Sequence, residues 1–73
     1  MRVHVTLRGS LAGDGRQQHR MLVQLPFGST VEHLISHLSI ASADVQMALV
    51  NGSPVVRSSV LSNGDQVILA GAR

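Results

Sequence analysis

Gly28-Ser29-Thr30-Val31-Glu32-His33-Leu34-Ile35-Ser36-His37-Leu38-Ser39 is the segment that decides how this chain folds. Ser29 stands three residues before Glu32, the spacing at which a hydroxyl and a carboxylate cap each other's backbone N–H groups at a helix N-terminus. Val31, Leu34, Ile35 and Leu38 recur at helical spacing just behind it. Together these signs predict one helix from about Thr30 to Ser39, begun after a chain break at Pro26-Phe27-Gly28. Its apolar stripe needs a sheet to lie on, so the flanking segments must supply strands.

Upstream, Arg2-Val3-His4-Val5-Thr6-Leu7-Arg8 alternates strictly, with Val3, Val5 and Leu7 on one face, the period of a half-buried strand. Gly9 to Gln18 is rich in turn residues (Gly9, Gly13, Asp14, Gly15), and alternation resumes at Met21, Val23 and Leu25, which predicts a hairpin with a mobile tip. Downstream of the helix, Ile40 to Asp44 reads as a small-residue loop. Gln46-Met47-Ala48-Leu49-Val50 is too short for an independent helix and ends at the tight-turn pair Asn51-Gly52, so it predicts a third strand. Val55-Val56 adds a short edge piece whose pairing Pro54 limits. Asn63-Gly64-Asp65 turns the chain into a final strand, Gln66-Val67-Ile68-Leu69, followed by a free C-terminal tail, Ala70-Gly71-Ala72-Arg73. The predicted order is β, β, α, β, turn, β, tail, in a single α+β domain over residues 1–73.

Composition narrows the function. At 73 residues there is room for one small core, and with Phe27 as the sole aromatic it must be built from Val, Leu, Ile, Met and Ala. Cysteine is absent, which excludes disulfides, a thiolate nucleophile and a thiolate metal site. The N-terminus alternates instead of offering an apolar signal segment, and no apolar run approaches the roughly 20 residues that span a bilayer, so the expected location is cytoplasmic and no membrane partner is expected. Six arginines are scattered along the sequence against four acids, for a formal charge of +2. Without aromatic stacking platforms, nucleic acid is not the expected partner.

Strand-hairpin, capped helix and two further strands is the arrangement of the β-grasp, or ubiquitin-like, fold: a mixed sheet of four to five strands packed on one helix. Gly28-Ser29-Thr30-Val31-Glu32-His33-Leu34 resembles the helix start of the small sulfur carriers typified by MoaD and ThiS. Val50-Asn51-Gly52 followed by Val55 is similar to their "VNG" turn, and Leu61-Ser62-Asn63-Gly64-Asp65-Gln66-Val67-Ile68-Leu69 resembles their last strand. The resemblance implies a non-catalytic protein whose partners are an adenylating enzyme and a sulfur-accepting synthase subunit. It implies no bound cofactor: the partner adenylates the C-terminal carboxylate, and sulfur then replaces the adenylate. Where those carriers have a diglycine, this sequence reads Ala70-Gly71-Ala72-Arg73. Two functions therefore stand side by side: a sulfur-carrier-like protein, and a β-grasp interaction module whose tail does no chemistry.

Other constellations point to no chemistry within the chain. His33 and His37 are four apart on the predicted helix, but they lie opposite the apolar stripe without an intervening Glu or an evident third ligand, so no metal site is expected. No nucleophile sits in a glycine elbow, no glycine loop cradles phosphate, and no catalytic residue is expected. The outward sheet face is the informative surface. Leu22 and Ile68 should point away from the helix, joined by one of the pairs Met47/Leu49 or Ala48/Val50, and such an apolar patch is a candidate partner-binding face; Leu22, Ile68, Met47 and Leu49 are the residues expected to form it.

Overall fold

The computed structural model describes residues 1–13 and 18–71. Their strands are β1 (Arg2–Arg8), β2 (Gln18–Gln24), β3 (Met47–Val50), β4 (Ser53–Pro54) and β5 (Gln66–Ala70), with a single α-helix, α1 (Val31–His37), and short 3-10 turns at Gly9–Leu11 and Ser42–Asp44. The five strands form one sheet in the order β2-β1-β5-β3-β4. β1 and β5 are parallel neighbours at its centre, and every other pairing is antiparallel. This is the mixed β-grasp sheet with one helix that the sequence predicts.

The alternation read in β1 is the alternation observed. Val3, Val5 and Leu7 are buried and Arg2, His4 and Arg8 exposed, and Val23, Val67 and Leu69 extend the buried layer across β2 and β5. From the other side α1 contributes Val31, Leu34 and Ile35. Leu38, which closes the same stripe, packs only partly buried against this core. Val45 and Leu61, both in loops, are fully enclosed as well; neither shows a periodicity that marks it in the sequence.

The helix cap lies one residue later than the apparent one. Thr30 is the N-cap: its Oγ1 accepts from the His33 N–H at 3.3 Å, and His33 Nδ1 accepts from the Thr30 N–H at 3.0 Å. Ser29, expected as the cap, is buried, and its hydroxyl donates to the Pro26 carbonyl at 2.7 Å. Glu32, its expected partner, lies instead beside Arg57 at 3.6 Å and accepts from the Ser42 hydroxyl. The reason is tertiary. The segment after β4 runs past the helix start, where the Arg57 and Ser59 carbonyls accept from the Glu32 and Val31 N–H groups and Thr30 pairs with Val60. That packing holds Ser29 below the surface and leaves Thr30 at the mouth of the helix.

Strand boundaries shift by small amounts. β3 starts at Met47 instead of Gln46, and the edge piece is Ser53–Pro54 instead of Val55–Val56, because the Asn51-Gly52 turn, with φ of 53° and 87°, closes the hairpin directly onto Ser53. Val55 still donates to the Ala48 carbonyl, while Val56 is exposed. The tip of the β1–β2 hairpin was expected at Gly9 to Gln18; residues 14–17 of it lie outside the described residues.

Candidate docking face and C-terminal exit

β5 carries the chain along the middle of the sheet, hydrogen-bonded on one side to β1 and on the other to β3. Ala70, expected in the free tail, is its last residue: it pairs with Arg8 and Met47, and its carbonyl accepts from the Gln46 N–H at 2.8 Å. Two flanking strands capture it, which no reading of β5 alone could show. Gly71 is held too, donating to the Arg8 carbonyl at 3.1 Å. A Cβ at Gly71 would press on Ser10 Oγ and come within 3.1 Å of Leu11 Cγ and 3.2 Å of the Leu11 backbone nitrogen. Gly71 is therefore demanded by close approach to the Gly9–Leu11 turn. Ala72 and Arg73 lie outside the described residues.

The register settles which β3 pair faces outward. Ala48 is in the core and Val50 packs against it, while Met47 is 52% exposed and Leu49 is half-buried on the opposite face. Ile68 is the cross-strand partner of Leu49, and Met47 is the partner of Ala70. The sheet thus brings Met47, Leu49 and Ile68 together beside the point where the chain leaves it. Leu22, 55% exposed, faces the same way but belongs to β2, paired with His4 and separated from β5 by the whole of β1. At about 4.8 Å per strand β2 lies roughly 10 Å from β5, the nearest strand of that patch, and Leu22 is level with Gln66 instead of Ile68.

Toward the β1–β2 hairpin end the same face is basic. Arg8 and Arg20 are exposed on the same side, Arg20 opposite Thr6 and Arg8 opposite Gln18, and with His4, Thr6 and Ile68 they line a shallow concavity. Two of the six arginines that look scattered in the sequence are brought together by the hairpin pairing. Parity within β1 and β2 was the signal that could have found them. No acid of the described residues lies on this face: Glu32 is on α1, Asp44 in a 3-10 turn, and the Asp65 carboxylate is engaged by the Ser62 N–H and the Asn51 amide. His33 Nδ1 is occupied by the helix cap, and no cluster of ligating side chains occurs among the described residues. No helix among them is long and apolar enough to cross a membrane.

A five-stranded mixed sheet with parallel central strands, wrapped over a single capped helix and ending in its middle strand, defines a ubiquitin-like β-grasp domain. The chain belongs to the Mut7-C ubiquitin family, whose model matches residues 1–70. It is similar in fold to the crystal structure of SAMP1 from Haloferax volcanii, with a TM-score of 0.71, 19% sequence identity, and coverage of 100% of this chain and 97% of that one. No curated protein matches the sequence significantly.

Proposed function

We propose that this chain is a non-catalytic, sulfur-carrier-like protein that docks on an adenylating enzyme through Met47, Leu49 and Ile68 and presents the residues after Gly71 to it. The observation that carries this reading is the pairing of Met47 with Ala70 across the β3–β5 ladder. A partner seated on Met47 lies beside the exit of the chain. With the strand clamped as far as Gly71, the direction of exit is set before docking, which lowers the entropic cost of presenting an extended segment. In the chemistry that the resemblance implies, a carboxylate oxygen attacks the α-phosphorus of ATP and pyrophosphate leaves. Hydrosulfide then attacks the acyl carbon, and AMP departs with the bridging oxygen and the C–O electron pair, leaving a thiocarboxylate for a synthase subunit to consume.

A second reading is favoured by one observation, that Ala70-Gly71-Ala72-Arg73 contains no diglycine. On that reading the same face docks and the tail does no chemistry. Intact-mass measurement after incubation with ATP, a cognate adenylating enzyme and sulfide separates the two. An oxygen-to-sulfur mass change at the C-terminus that Ile68→Glu prevents supports the carrier. Docking that Ile68→Glu abolishes, with no mass change, supports the interaction module and rejects the carrier.

A further inference from the structure

The two edges of the sheet are treated differently. β4, at one end, is two residues long and includes Pro54, both features that discourage further strand pairing. β2, at the other, is seven residues long and pairs residue for residue with β1 throughout, without a bulge, proline, glycine or lysine. Among the described residues nothing pairs with its outer side.

The direction of the unused backbone groups follows from the register. The Met1 amine donates to the Leu25 carbonyl and the Leu25 N–H to the Met1 carbonyl, so Met1 and Leu25 form a hydrogen-bonded pair. In an antiparallel ladder such pairs alternate. Val3–Val23, Val5–Met21 and Leu7–His19 are then the pairs that exchange hydrogen bonds, and Gln18, Arg20, Leu22 and Gln24 aim their N–H and C=O groups away from β1. The even residues of β1 confirm the alternation by turning to β5: His4 donates to the Asp65 carbonyl, and Arg8 accepts from Gly71.

We propose that the β2 edge accepts an extended segment of a partner protein as an added strand, with acidic side chains on the outward face and apolar ones on the face toward α1. Charge selects the outward residues. Arg20 is exposed on the edge itself and Arg8 is its diagonal neighbour on β1, on a face that holds no acid of the described residues. Shape selects the inward ones. Beyond the C-terminal end of β2, Leu25, Phe27, His33 and His37 border an open concavity in which Phe27, the chain's lone aromatic, stands 79% exposed. A second copy of this chain paired through the same edge would bring two sets of Arg8 and Arg20 together, which like-charge repulsion opposes. The strand would add at the β2 edge, two strands from β5, although Arg8 itself adjoins the exit at Gly71; the proposal does not depend on any tail chemistry.

The test uses the full chain and two short synthetic peptides, one alternating valine with aspartate and one alternating valine with lysine, followed by amide hydrogen exchange and chemical shifts. The aspartate peptide should slow exchange at Gln18, Arg20, Leu22 and Gln24 while His19, Met21 and Val23, already paired to β1, change little. Arg20→Glu should weaken the aspartate peptide about tenfold, equivalent to about 1.4 kcal/mol, and improve binding of the lysine peptide. Leu22→Pro removes one outward N–H without breaking the β1 ladder and should abolish binding; should that variant unfold, Arg20→Glu and the alternating exchange pattern decide. Three results overturn the proposal: no binding of the aspartate peptide, slowed exchange confined to Leu49 and Ile68, or protection of the β2 edge that appears without peptide as protein concentration rises.

Discussion

The Asn51 side-chain amide donates to Asp65 Oδ1 at 3.1 Å, joining the β3–β4 turn to the turn that precedes β5. Asn51 Oδ1 also accepts from the Gln66 N–H at 3.0 Å, its own N–H donates to the Gln66 carbonyl at 2.8 Å, and Asp65 Oδ2 accepts from the Ser62 N–H at 2.7 Å. Two turn motifs that are separate in sequence are one network in space. It fixes where β5 begins, and so where it ends. Asn51→Ala loses these side-chain bonds and leaves, at a φ of 53°, a residue without the polar side chain that lets asparagine occupy the left-handed region; the expected loss is about 2 kcal/mol in denaturant unfolding. Asp65→Ala should cost about 1 kcal/mol, and the double variant less than the sum. Strict additivity would mean that the two turns are not coupled.

The helix cap makes opposite demands on neighbouring residues. Thr30→Ala is expected to destabilise the protein by about 1 kcal/mol, the usual cost of losing an N-cap. Glu32→Gln should cost less than about 0.5 kcal/mol, because its ion pair with Arg57 is largely solvent-screened. A larger loss from Glu32→Gln than from Thr30→Ala would reverse the assignment of the cap.

Position within the apolar stripe should grade the cost of truncation. Leu34 is fully buried and Leu38 only partly so. Leu34→Ala should lose about 3 to 4 kcal/mol and Leu38→Ala about 1 to 2 kcal/mol by the same unfolding measurement. Equal losses would place the helix axis differently over the sheet.

Gly71→Ala tests whether the end of β5 is clamped. The new methyl group meets the Leu11 backbone, which cannot turn aside as the Ser10 hydroxyl can. The expected destabilisation is about 1 to 3 kcal/mol, with chemical-shift changes centred on Ser10 and Leu11. Adding Ser10→Ala should recover little of it; full recovery would show that the clash is with the hydroxyl alone.

Legibility tracked the distance over which each feature is decided. The strands containing Val3, Val5 and Leu7 and containing Val67 and Leu69, the stripe of α1 and the Asn51-Gly52 turn all follow from spacing within a few residues, and all are observed. Thr30 in place of Ser29 as the cap was not legible, because the segment from Arg57 to Val60 decides which of two hydroxyls stays at the surface. Loop residues Val45 and Leu61 were missed as core for the same reason: they are buried by what packs over them, and loops carry no period.

By itself the sequence determined which residues lie on the inner side of β1, β2 and β5 and along the buried stripe of the helix, since alternation by two and recurrence near 3.6 are properties of a single element; for β3 it left two pairs open, and pairing with β5 turned Ala48 inward. Only the tertiary structure decided which strands are neighbours. That decision puts Ala70 between Arg8 and Met47, sets Ile68 beside Leu49, collects Arg8 and Arg20 on one face and leaves the outer side of β2 unpaired. The physical reason is that a strand's own pattern says which face is buried but not which strand satisfies its backbone hydrogen bonds; that choice is made by the whole sheet as it closes over α1.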